Sequence, residues 1–121
     1  MVAKSRLPLV RRAVADLDIN EALDHYLAES VSAADGFVDA LERAFAHIRR
    51  EPDTGSPRWA HELDIAGLRS WTCTRYPYIV FYLILPERIE VWRVLHGKRD
   101  IPAWLKVDTQ VDTQADPASG T

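Results

Sequence analysis

The chain has 121 residues, 47% of them apolar and 27% charged, with a formal net charge of −3. That suffices for one domain with one sizeable core, and so small a net charge gives no global drive toward nucleic acid or a membrane. Cys73 is the only cysteine, which excludes an intrachain disulfide and any thiolate-built metal site. No apolar run follows a basic start, and none approaches the roughly 20 residues of a membrane span, so the expectation is a cytoplasmic protein.

Charge is unevenly spread. Up to Ile48 there are eight acidic residues against five basic ones; from Arg49 to Lys106 there are ten basic against seven acidic. In chain order, Leu7, Leu9 and Val10 read as a short first strand, for which Pro8 favours a sheet edge. Arg11 to about Ser30 has helical spacing, with Val14, Leu17, Leu23, Tyr26 and Leu27 near one face and Asp16, Asp18, Glu21, Asp24 and Glu29 elsewhere. Ser32-Ala33-Ala34-Asp35 resembles a capping box that opens a second helix. Phe37, Val38, Leu41, Phe45 and Ile48 then repeat at helical spacing until Pro52 stops it. So short a connection predicts an antiparallel helical hairpin.

Glu51 to Gly67 holds two prolines and two glycines and reads as a loop, with one short turn near Arg58 to Leu63. Beyond it the period changes. Leu68 to Thr74 is rich in β-branched and aromatic residues, and Tyr78 to Leu85 is almost continuously apolar, as a central strand covered on both faces would be. Leu85-Pro86-Glu87-Arg88 has proline where a type I turn places it. Ile89 to Leu95 alternates, putting Ile89, Val91, Arg93 and Leu95 opposite Glu90, Trp92, Val94 and His96. Three such strands predict an antiparallel meander packed on the hairpin. Ile101 to Leu105 would add a short turn burying Trp104. The polar, repetitive stretch from Val107 to Thr121 lacks the apolar surface to offset its ordering entropy and is expected to be a disordered tail beyond a domain of residues 1–106.

No phosphate-cradling glycine loop, nucleophile elbow or paired-histidine metal motif is present, and His25, His47, His61 and His96 lack ligand spacing; no cofactor or metal is expected. The dense cluster is Arg93-Val94-Leu95-His96-Gly97-Lys98-Arg99-Asp100, with Arg69 and Arg75 on neighbouring strands. Such a group can stabilise a developing charge on a phosphate while His96 moves a proton, the outline of metal-free RNA cleavage. The competing reading is structural, with Arg93 and Arg99 paired to Asp100, Glu90 or backbone carbonyls. Tyr76, Tyr78 and Tyr82 can act as acids or stack on bases, but tyrosines in apolar strands are usually core, and Trp59, Trp71, Trp92 and Trp104 are read as packing.

Tyr78-Ile79-Val80-Phe81-Tyr82, followed by Ile89-Glu90-Val91-Trp92-Arg93-Val94-Leu95-His96-Gly97-Lys98-Arg99-Asp100-Ile101, resembles the C-terminal signature of ParE-type toxins of the ParE/RelE superfamily. Ala13-Val14-Ala15-Asp16-Leu17-Asp18-Ile19 and Gly67-Leu68-Arg69 are similar to further parts of that family, so the resemblance covers roughly Leu7 to Leu105. It implies an α+β fold with a helical hairpin on a small antiparallel sheet, and a signature set of Arg69, Tyr82, Arg93, His96, Gly97, Arg99 and Asp100. It also implies a ParD-like antitoxin bound in a hetero-oligomer, DNA gyrase as target, and no direct DNA binding by the chain alone. RelE members share the fold but cleave messenger RNA on the ribosome. On that alternative Arg69, Arg93, His96 and Arg99 would be catalytic; a third alternative is an inactive homologue. No tyrosine follows Tyr82, which sets the chain apart from nucleases finished by a terminal catalytic tyrosine and favours the ParE reading.

Overall fold

The computed structural model describes residues 7–99 and 101–105. Strand β1 (Leu9–Arg11) leads into helices α1 (Ala13–Glu29) and α2 (Val31–Arg50). A 3₁₀ turn (Pro52–Thr54) and helix α3 (Arg58–Leu63) precede strands β2 (Arg69–Thr72), β3 (Tyr78–Ile84) and β4 (Ile89–His96). Residues 101–105 are again helical.

The two long helices are joined by Ser30 alone, which is C-cap of α1 and N-cap of α2. Its Oγ accepts the Ala33 N–H at 2.9 Å, satisfying one of the open donors of the first turn. The cap is therefore Ser30, two residues before the expected Ser32, because the hairpin has no separate linker. Ser30→Ala should cost about 1 kcal/mol in urea unfolding, whereas Ser32→Ala should be close to neutral.

The sheet order is β1-β4-β3-β2. β2, β3 and β4 form the expected antiparallel meander. β1 is an edge strand, as expected, with Pro8 just before it, and it pairs in parallel with β4 through Leu9↔Ile89 to Arg11↔Val91. Between Phe81↔Arg93 and Tyr82↔Val91 the register shifts, leaving Trp92 as the extra residue of a bulge. The bulge overturns the expected alternation. Ile89, Val91 and Val94 all belong to the core under the hairpin, while Leu95 belongs to a second core on the other face.

The first core joins Ala15, Ala22, Phe37, Ala40, Leu41, Ala44 and Ile48 to Val80, Tyr82, Ile89, Val91 and Val94. Small residues on both helices let them lie close together and to the sheet, with Phe37 and Ile48 as the large fillers. Burying each large apolar side chain fully stabilises the fold by about 1.5–3 kcal/mol. The second core gathers Trp59 of α3, Leu68, Phe81, Leu95, Ile101 and Leu105. Both faces of β3 are thus covered, which explains its unbroken apolar run. Two sequence expectations fail. Leu17 and Leu27 are 65% and 47% exposed, since α1 turns Ala15, Asp18 and Ala22 inward instead. Trp104 is 39% exposed, the terminal turn being anchored by Ile101 and Leu105.

Candidate functional site

Three strands and α1 bring the signature residues together only in part. Arg93 shares a face with its register partner Phe81, and its guanidinium reaches α1. There it forms a bidentate pair with Asp18: Nε donates to Oδ2 and Nη2 to Oδ1, each at 2.7 Å. Asp18 Oδ2 also accepts the Val94 N–H at 3.0 Å, and Arg93 Nη1 donates to the Trp104 carbonyl at 3.3 Å. The side chains of Arg93 and Asp18 are 6% and 9% exposed. The pair ties together α1, the edge of β4 and the terminal turn. Arg93 is thus paired within the fold, to a helix carboxylate and the Trp104 carbonyl and not to Glu90. Asp100 lies outside the described residues.

Arg69 sits elsewhere. Its Nη1 donates to the Gly55 carbonyl at 2.7 Å, and its register partner on β3 is Tyr82. His96 pairs with Tyr78, four residues further along β3, or roughly 13 Å at the usual strand rise. The structure therefore separates Arg69 from His96 and Arg99, and the four residues of the nuclease alternative do not converge. Tyr82 is fully buried, its hydroxyl donating to the Pro52 carbonyl at 2.6 Å. Gly55 packs against that hydroxyl so tightly that a Cβ there would collide with it.

What does converge is an open cleft of about 520 Å³ between α1 and the end of β4. Asp18, Glu21, Ala22 and His25 line it from the helix; Tyr78, Val94, Leu95, His96, Lys98 and Arg99 line it from the sheet. Its aromatic floor continues into the interior, with Tyr78 edge-on to His96 at 5.1 Å and to Phe37 at 5.3 Å. His96 Nδ1 accepts the Lys98 N–H at 3.0 Å. With Nδ1 as the acceptor, the proton of a neutral ring sits on Nε2. Arg99 lies 4.2 Å over the Trp104 ring, with Nη2 3.8 Å from Glu21 Oε1. Sequence reasoning missed Asp18, Glu21 and His25 as site neighbours. They are spaced three and four apart on one helix side, the only trace the sequence carried.

Burial pushes the Tyr78 phenol up, Arg99 opposing and Glu21 adding to the shift. Burial raises Tyr82 and Tyr26 too, and drives the Cys73 thiol up to about 11. None of these is poised for proton transfer near neutral pH. Each holds its proton to higher pH folded than unfolded, so the unfolded chain releases protons first. Stability should be flat near pH 7 and fall as pH rises past the ordinary thiol and phenol values of 9.0 and 10.0. Urea midpoints from pH 7 to 11 measure this, and a midpoint rising across that range would contradict it. Among the described residues no group of three or more His, Cys, Asp or Glu is placed to hold a metal ion, and no helix is long and apolar enough to cross a membrane.

The fold and site define a small α+β protein whose signature side chains mostly brace the sheet end and frame a mixed-charge cleft. A family model for the ParE toxin of the type II toxin–antitoxin system parDE matches residues 9–101. The chain belongs to the ParE toxin family of type II toxin–antitoxin systems. Among solved structures, a chain of the chromosomal ParDE toxin–antitoxin system from P. aeruginosa has a similar fold, with a TM-score of 0.64 at 17% identity. The match covers 78% of this chain and 99% of that one. A comparison with curated protein sequences found no match.

Proposed function

We propose that this chain is a non-catalytic toxin that inhibits DNA gyrase and is neutralised by a ParD-like antitoxin in a hetero-oligomer. The observation that carries this reading is the engagement of the nuclease candidates in structure. Arg93 is locked on Asp18, Arg69 on the Gly55 carbonyl at a distance along the sheet, and the His96 Nδ1 lone pair on the Lys98 N–H. A general base needs a free lone pair aimed at its proton, and phosphate stabilisation needs cations facing one point. Arg69, Arg93, His96 and Arg99 are not gathered in that way among the described residues, although Lys98 and Arg99 line one cleft with His96. Membership of the ParE family supports the same choice.

Purified protein added to purified gyrase should abolish supercoiling and accumulate cleaved DNA, and a co-expressed antitoxin should restore supercoiling. Mapping of transcript ends after induction should reveal no new codon-linked cuts. Untouched supercoiling together with new cuts would replace this reading by ribosome-dependent RNA cleavage. Normal growth on strong expression without antitoxin would point to an inactive homologue.

A further inference from the structure

Ser56, in the loop ahead of α3, and Ser70 of β2 exchange backbone hydrogen bonds: each N–H donates to the other's carbonyl, at 2.9 and 3.0 Å. A pair bonded both ways stands directly opposite in an antiparallel ladder, its two Cβ atoms on one face roughly 5 Å apart. The two serines thus stand side by side, and both line a second groove of about 430 Å³ on the sheet face away from the helical hairpin. Ser70 is 8% exposed on a face otherwise filled by Leu68, Phe81 and Leu95. Among the described residues nothing engages its hydroxyl. Hydroxyls this buried are nearly always hydrogen-bonded, so its partner comes from the groove. Ser56 Oγ accepts the Arg58 N–H at 3.2 Å, which leaves its own O–H to donate.

Two arginines flank the serines in the same groove. Arg58 lies 4.4 Å over the Trp59 ring, as Arg99 lies 4.2 Å over Trp104. Stacking holds a guanidinium by its face and keeps its in-plane N–H groups for an acceptor. Among the described residues their ion pairs are loose, Glu62 at 3.5 Å from Arg58 and Glu21 at 3.8 Å from Arg99, well beyond a charge-assisted hydrogen bond. Arg93 and Arg69, by contrast, have donors committed at 2.7 Å. No carboxylate, imidazole or phenol lines the groove among the described residues. Hydroxyl donors beside two cations, with no group to move a proton, suit holding an oxyanion without cleaving it.

We propose that this groove binds a small phosphate ester, Ser56 and Ser70 donating to its phosphate oxygens and Arg58 and Arg99 carrying the counter-charge. A phosphate group presents three strong acceptor oxygens in different directions, which suits donors that arrive from a strand, a loop and two flanking side chains. A carboxylate presents two oxygens in one plane and would leave part of that set unused. Trp59 and Ile79 line the same groove and give the organic part of the ester an apolar flank. Arg99 also lines the cleft against α1, so a bound phosphate draws it from Glu21. Phosphate binding here is independent of gyrase being the target.

The test follows backbone amide signals of the full chain while inorganic phosphate, and separately a nucleoside 5′-monophosphate, is added at constant ionic strength. Both should give saturable shifts centred on Ser56, Arg58, Ser70, Thr72, Gly97 and Arg99, and sodium chloride alone should give none. The nucleotide should bind more tightly, because Trp59 and Ile79 meet its organic part; equal affinities would overturn the ester in favour of the bare anion. Ser70→Ala and Arg58→Gln should each weaken binding about tenfold. The Arg58 side chain is 66% exposed, so that variant folds even where Ser70→Ala disturbs the sheet. Arg43→Gln removes an equal charge from the exposed side of α2 and should leave binding unchanged. Shifts that do not saturate, that centre on the α1 cleft, or that weaken as much with Arg43→Gln would overturn the proposal. Any of those results leaves the gyrase reading standing, since that is scored by supercoiling.

Discussion

Asp18→Ala is expected to cost about 3–5 kcal/mol of folding stability, because it takes the carboxylate partner from a buried guanidinium. Arg93 is 5% exposed and Asp18 9%, and the carboxylate also holds the Val94 N–H of β4. Removing it takes the bidentate partner from the guanidinium and the acceptor from the Val94 N–H together. The reverse change, Arg93→Ala, should cost a similar amount. Asp18→Leu combined with Arg93→Met should lie much closer to wild type, since replacing both partners of a buried pair by apolar groups is often neutral. Urea unfolding of the two singles and the double gives the coupling directly. Singles costing under about 1 kcal/mol would mean the pair is solvated in solution and would remove it as the tie between α1 and β4.

Tyr82 is the second test. Tyr82→Phe keeps the ring and deletes only the hydroxyl that donates to the Pro52 carbonyl at 2.6 Å, so a loss of about 1–3 kcal/mol is expected. Tyr82→Ala empties a fully buried site in the first core and should cost about 3–5 kcal/mol. The two outcomes separate the hydrogen bond from the ring. They also bear on mechanism. If Tyr82→Phe, still folded under the assay conditions, kept full toxicity in cells, the tyrosine would act as a brace. A folded variant with toxicity abolished would instead give its hydroxyl a direct functional role, against the geometry seen here.

Much of the architecture was legible because it follows from local rules. The apolar run of Tyr78 to Leu85 fits a doubly covered strand, Pro8 favours an edge, and Pro52 stops α2. Each of those constraints acts within a few residues. The terminal turn was foreseen at the right place, but with the wrong side chain inward. Trp104 is large and apolar, yet it serves as a plate for the Arg99 guanidinium while Ile101 and Leu105 fill the core. Composition alone does not tell those roles apart. The helix face was misread for a related reason. α1 lies so close to the sheet that alanines and an aspartate fit beneath it, leaving Leu17 and Leu27 outside.

The Asp18–Arg93 pair shows where sequence reading stops. Its members are 75 residues apart, and nothing local marks Asp18 among five acidic residues of the same helix. The bulge at Trp92 is equally silent, because a register shift is set by the competing demands of two cores on one strand. By itself the sequence determined the order of elements, the helical hairpin, the meander and the kinship with ParE toxins, since periodicity, breakers and a contiguous signature are all written along the chain. Only the tertiary structure decided that β1 joins β4 in parallel, that Arg93 is held by a helix, that Arg69 stands apart from His96, and that α1 and the end of β4 frame a charged cleft. Those facts depend on which distant groups meet when the chain closes, and burial makes that choice across the whole molecule at once.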